Sequence, residues 1–334
     1  MNLKQHYAAL LIAFCLFSIG SISSAFAQDA DSAVTATVTP PFPKPFQKVV
    51  ITLVSYATDL NRASINWAVE GKSVLSGNGA NKLTITMGDV GQTTKVRVTI
   101  TPPGIPPISK DIFLTPGDVD IVFETVDSYV PPFYRGKALP ASESVVRAVA
   151  IPDMKSGGVR LKSENLVFQW KRNGNADAAN SGFGKNSYIF RGGFAGSAEQ
   201  IEVVASTVDG TVASQGSRTL TIGEPMLLLY ENRPLEGIHY EEALPARLSL
   251  LNKEIHITAA PYFFSVENAK KQGISFTWLI DGREVPGTPT DRSALVVRAP
   301  ENARSVSDIV LQAVSTKRLL QSMEANFSAR FDIQ

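Results

Sequence analysis

Apart from His6 near the start, the histidines of this 334-residue chain are His239 and His256, and they are the first side chains to weigh for chemistry. His239 stands in "GIHYEEAL" beside Glu241 and Glu242. An imidazole and two carboxylates so close together offer ligands to a metal, but no spaced set of cysteines and histidines accompanies them. A surface loop is the competing reading. His256 alternates with Ile255 and Ile257 in "EIHIT", which puts it on the polar side of a strand. Asp118 and Asp120, with Glu124 and Asp127 near by, form a second acidic group. Carboxylate oxygens suit calcium, which takes six or more of them, and a solvated strand start is the alternative. Neither G-x-S-x-G nor H-E-x-x-H occurs, so two familiar hydrolase patterns are missing. The sequence therefore nominates no catalytic residue and no cofactor.

Aromatic rings offer a binding chemistry instead. Phe133 and Tyr134 follow Pro132, while Tyr262 and Phe263 precede Phe264. Exposed, such rings stack on sugar faces or meet another protein; buried, they fill the seams between domains. Two glycine-rich stretches, "SGNGANKLTIT" (Ser76–Thr86) and "SGFGKNSYIF" (Ser181–Phe190), look at first like phosphate loops. A phosphate loop runs into a helix whose N-terminal amides meet the anion. Here each runs into a strand pattern, such as Leu83, Ile85 and Met87 alternating with Lys82, Thr84 and Thr86. These glycines are turn residues between strands.

The elements around them repeat. Ile65-Asn66-Trp67 precedes Gly71, Phe168-Gln169-Trp170 precedes Gly174, and Phe276-Thr277-Trp278 precedes Gly282. In each copy a bulky apolar residue lies two before the tryptophan and a glycine four after it, at a spacing of one β-sandwich domain. Apolar and polar residues alternate toward each tryptophan, the period of a half-buried strand. The glycine follows Glu70, Asn173 or Asp281; Asn-Gly and Asp-Gly are strong hairpin turns and Glu-Gly a weaker one. Further alternating runs (Val96-Val98-Ile100, Ile201-Val203-Ala205 and Ile309-Leu311-Ala313) complete the units. No stretch has a helical period.

This pattern resembles tandem immunoglobulin-like domains, particularly the PKD-like and bacterial Ig-like modules of exported proteins. The resemblance implies that Trp67, Trp170 and Trp278 pack in sandwich cores. The paired cysteines of antibody domains are absent, and "AVEGK" follows Trp67 where PKD modules carry Asp-x-Gly-Asp-Gly. The fold expected is all-β: three tandem immunoglobulin-like β-sandwiches after a signal peptide, with hairpin turns at Gly71, Gly174 and Gly282.

The N-terminus explains the signal-peptide expectation. Lys4, an apolar run from Tyr7 to Phe17 and the small-x-small Ala25-Phe26-Ala27 read as a secretory signal cleaved before Gln28. Removing it takes away Lys4, the lone cysteine Cys15 and no acid. Of 32 basic residues 31 remain against 31 acidic ones. Zero net charge argues against nucleic acid as a partner, and no second long apolar run predicts a membrane span in the mature chain. Without disulfides, apolar cores must hold an exported protein together. Turn-rich joints divide the chain into 1–27 (signal peptide), 28–116, 117–223 and 224–334 (one sandwich each). Short joints imply a semi-rigid rod. The function expected is a non-enzymatic structural or adhesive element of the bacterial cell surface or periplasm, whose partners are other envelope proteins, pilus-like subunits or further copies of itself. The alternative is glycan binding through exposed aromatics.

Overall fold

The computed structural model describes residues 34–132, 134–250, 254–266, 273–288, 290–299 and 304–332. The signal-peptide segment 1–27 and Phe133 lie outside them. The described residues form strands and connecting turns, with no α-helix. No helix among them is long and apolar enough to cross a membrane. The contacts divide the chain into two compact units. Of the described residues, one holds those up to Pro41, Lys48–Ile85 and Thr94–Leu114; the other holds Phe42–Gln47, Thr86–Thr93 and those from Thr115 onward.

The first unit is a sandwich of three strands against four. β1 (Thr35–Thr39), β2 (Lys48–Val54) and β5 (Lys82–Thr86) make one sheet in the order β1-β2-β5. β3 (Ser64–Val69), β4 (Lys72–Asn78), β6 (Thr94–Thr101) and β7 (Ile108–Leu114) make the other, in the order β4-β3-β6-β7. Alternation decides the inner faces: Val49, Ile51 and Leu53 are buried from β2, Ile65 and Trp67 from β3, and Val96, Val98 and Ile100 from β6.

The second unit contains two more sandwiches of the same plan. In the earlier one, β8 (Asp118–Thr125), β9 (Val145–Asp153) and β15 (Ser187–Arg191) form the sheet β15-β9-β8. A small hairpin, β10 (Lys155–Ser156) and β11 (Val159–Arg160), follows β9. The facing sheet, β13-β12-β16-β17, uses β12 (Val167–Arg172), β13 (Asn175–Ala176), β16 (Ala198–Ser206) and β17 (Ala213–Thr221), with β14 (Gly182–Phe183) also pairing β12. In the later sandwich, β18 (Met226–Arg233), β19 (Gly237–Ile238), β21 (Glu254–Tyr262) and β24 (Ala294–Arg298) form the sheet β19-β18-β21-β24. Opposite it lies β20-β26-β25-β22-β23, built from β20 (Arg247–Leu250), β22 (Ile274–Ile280), β23 (Arg283–Val285), β25 (Arg304–Ser315) and β26 (Ser322–Asp332). The tryptophan strand is the third long strand of each sandwich, as in immunoglobulin-class folds.

Trp67, Trp170 and Trp278 are at most 1% exposed. A buried indole N–H needs an acceptor, and each finds one at the same place. Trp67 donates to the Ala80 carbonyl (2.7 Å), Trp170 to Lys185 (2.9 Å) and Trp278 to Arg292 (3.1 Å). Each acceptor lies two residues ahead of β5, β15 or β24. The glycine-rich stretches are thus the turns that bring a carbonyl onto an indole.

The hairpins after the tryptophans are equally regular. Glu70-Gly71 has φ of 49° and 78°, Asn173-Gly174 51° and 79°, and Asp281-Gly282 49° and 77°. Two successive positive φ angles make the type I′ turn, whose twist matches that of paired strands. The turn's first side chain has a second task. Glu70 accepts the Lys95 amide (2.6 Å), Asn173 the Gln200 amide (2.8 Å) and Asp281 the Asp308 amide (2.9 Å). A carboxylate or carboxamide oxygen at this position ties the turn to the neighbouring strand.

Candidate functional site

The acidic residues nominated for calcium are each met by a cation. Asp118 pairs with Lys44 at 2.7 Å, Asp120 with Arg218 at 3.5 Å, Glu124 with Arg147 at 2.8 Å and Asp127 with Arg318 at 3.1 Å. Asp118 and Asp120 share one side of β8 because they are two positions apart on a strand, but their carboxylates face lysine and arginine. Among the described residues no group of three or more His, Cys, Asp or Glu is placed to hold a metal.

His239 sits in an exposed charge cluster at the β18–β19 hairpin. Its Nε2 lies 2.9 Å from Glu236, and its Nδ1 lies 3.9 Å from Glu241. Arg233 bridges Glu231 (3.2 Å) and Glu236 (2.9 Å). The guanidinium of Arg233, and then His239, hold the Glu236 carboxyl below the ordinary range. Glu242 lines the same open hollow. Arg233 and Glu236, unremarkable in sequence, organise this cluster. His256 is half-buried on β21, with Nε2 against Glu254.

The aromatic segments are placed differently. Tyr262 and Phe263 are 8% and 6% exposed, and Tyr134 meets both edge-on at 5.7 and 5.9 Å between ring centres. Tyr230 and Tyr262 join hydroxyl to hydroxyl at 2.8 Å, and Tyr240 packs edge-on against Tyr230. Burial, and then the Tyr262 hydroxyl, push the Tyr230 phenol well above its usual range. Val130 and Ala141 from the earlier sandwich complete this cluster. The described rings therefore fill a seam inside the second unit.

Polar locks frame the seam. Tyr129 and Phe263–Phe264 exchange main-chain hydrogen bonds of 2.8 and 2.7 Å, and Val266 donates to the Asp127 carbonyl at 2.9 Å. Gln321, fully buried, donates through Nε2 to the Ser142 carbonyl (2.5 Å) and Ser265 Oγ (3.0 Å), while its Oε1 accepts the Ser265 amide (2.8 Å). Asp127 joins Arg318 to the Val145 amide, and Glu143 accepts the Leu320 amide at 2.9 Å. Glu143 and Phe263 hold φ of 59° and 65°, a left-handed backbone that non-glycine residues adopt only when their surroundings impose it. Gln321, Ser142, Ser265 and Glu143 carry no sequence signal, because their partners lie far along the chain.

One buried ion pair belongs to the earlier sandwich alone. Glu199, with a side chain 5% exposed, accepts Arg172 at 2.9 and 2.7 Å, Asn173 at 2.8 Å and the Gly193 amide at 3.1 Å. The Arg172 guanidinium lies over the Phe190 ring at 4.7 Å. Four hydrogen bonds satisfy the carboxylate and bind the β12 turn to the loop after β15. The arrangement braces the fold and leaves no free nucleophile or base.

No protein-family model matches the chain, and no curated protein matches it in sequence. Solved structures similar to it include the fibronectin(III)-like modules of Clostridium thermocellum CbhA, at 13% identity and a TM-score of 0.28, covering 57% of this chain and 94% of that one. Three N-terminal domains of the bacteriophage RB49 highly immunogenic outer capsid protein are 10% identical at a TM-score of 0.25, covering 90% and 99%. The Bacteroides ovatus mixed-linkage glucan utilization protein SGBP-B, in complex with a heptasaccharide, is 12% identical at a TM-score of 0.19, covering 90% and 70%. Independently of these likenesses, the sheet orders and burial make the chain an all-β protein of immunoglobulin-like sandwiches.

Proposed function

We propose that the chain is an exported, non-enzymatic structural or adhesive element of the bacterial surface or periplasm, presenting loops and sheet edges on braced sandwiches. The observation that carries this reading is the seam in the second unit. Buried tyrosines, the Gln321 lock and the Asp127–Arg318 pair join two sandwiches side chain to side chain. Such a junction resists bending, which suits a part that holds surfaces at a set spacing. The buried Glu199 carboxylate is paired within its own sandwich, which supports a bracing role for it.

Cross-linking in the native envelope, followed by mass spectrometry of the neighbours, tests this reading. Links to further copies or to other envelope proteins are the expected result. Retention on wall polysaccharide without protein neighbours would turn the assignment to glycan binding, and turnover in a hydrolase screen would overturn it.

A further inference from the structure

The two sandwiches of the second unit close the gap between first and last strand in different ways. In the later one β20 lies parallel to β26 over Ser328–Phe331, with Leu250 in the core and Leu248 packed against it. In the earlier one the corresponding stretch ahead of β9 meets the end of β17 at one parallel bridge, Ala141–Gly223. There the Gly223 amide donates to the Pro140 carbonyl at 2.8 Å. β8 and β17 approach closely at Gly216, where an added Cβ would lie 2.3 Å from the Val119 carbonyl oxygen. Toward Thr125 and Thr221 a cavity of about 220 Å³ opens, walled by Val122, Phe123, Val146 and Leu220. Leu139 stands at its rim, 51% exposed.

The edge beside this cavity is open. β17 is the outer strand of its sheet. The Ile222 amide donates to Ser197 and its carbonyl accepts from Gly196, so Ile222 faces β16. Alternation in an antiparallel ladder then turns the main-chain groups of Thr219 and Thr221 outward. Glu124 at the mouth is held by Arg147, while Lys137 is exposed beside it.

We propose that the outer edge of β17 accepts an extended strand of a partner polypeptide, pairing at Thr219 and Thr221 and sending one apolar side chain into the cavity. The occupant's chemistry is read from β20, which fills the same gap in the sister sandwich with alternate leucines. Main-chain pairing supplies affinity in such strand addition, and the pocket supplies selectivity. This inference stands on the one sandwich and is independent of export or location.

The probe is a labelled peptide copying residues 245–252 (PARLSLLN), titrated against the full chain, with hydrogen exchange followed residue by residue. Saturable binding with slowed exchange at Thr219 and Thr221 is expected. Replacing both leucines that correspond to Leu248 and Leu250 by aspartate should weaken binding at least about tenfold. Val122→Trp, which fills the cavity, should abolish it. Should that variant fail to fold, Thr221→Pro removes an outward donor that no described strand uses and should weaken binding about tenfold. Absence of saturable binding overturns the proposal. So does binding indifferent to these changes, protection elsewhere, or protection of Thr219 and Thr221 by residues 137–141 without peptide.

Discussion

Each tryptophan joins two functions in one side chain: the ring fills the core, and the indole N–H anchors the turn ahead of the next strand. Cutting Trp67, Trp170 or Trp278 to alanine should cost about 3–5 kcal/mol in its own sandwich. The phenylalanine variants keep most of the apolar contact and lose the donor, stranding a carbonyl at a cost of about 1–3 kcal/mol. Denaturant unfolding of both series checks the ranking, and phenylalanine variants as stable as the wild type would show that the hydrogen bond contributes nothing. Glu199 is the second residue whose role is specific. The Arg172 hydrogen bonds hold its carboxyl below the ordinary glutamate range, against the opposing effect of burial. A depressed folded value means that its stabilisation is complete above the unfolded value of about 4.3 and is lost as the pH falls through the folded one. Glu199→Ala leaves Arg172 unpaired and should cost about 3 kcal/mol at neutral pH. The gap in melting temperature between wild type and variant should shrink between pH 5 and the acid limit, about where the carboxyl protonates.

At the scale of the element, the type I′ turns set which strands neighbour one another. Gly174→Ala forces a Cβ into a φ of 79° and should cost about 1–2 kcal/mol, with Gly71 and Gly282 behaving alike. Gly216 is a different case, since its Cβ would press on the Val119 carbonyl across two strands. Gly216→Ala should destabilise the sandwich by about 1–3 kcal/mol through forced separation of β8 and β17. Thermal melts of the two variants separate backbone strain from contact: only Gly216→Ala should also alter exchange along β8.

At the scale of the whole molecule, the seam predicts cooperativity within the second unit. Its two sandwiches should unfold in one calorimetric transition. Gln321→Ala, which removes a buried three-way lock, and Asp127→Asn, which weakens the tie to Arg318, should together split that transition. Limited proteolysis near Ser265 should then accelerate. Two transitions already present in the wild type would show that the seam does not couple them.

Much of this architecture was legible beforehand because it is local. Alternation named the strands, and residue types named the turns: Asn-Gly, Asp-Gly and Glu-Gly carry a φ preference that no distant contact supplies. The repeat of three tryptophans at domain spacing implied three cores. Tertiary structure decided the rest. Whether Tyr134, Tyr262 and Phe263 faced solvent or a seam depended on which domain end met them, and composition is blind to that. Asp118 and Asp120 read alike as ligands until their cations, Lys44 and Arg218, arrived from elsewhere in the chain. Gln321 and Ser142 stand 179 positions apart. Strand period and turn type are properties of neighbours in sequence, whereas burial, charge pairing and the open edge of β17 are properties of neighbours in space.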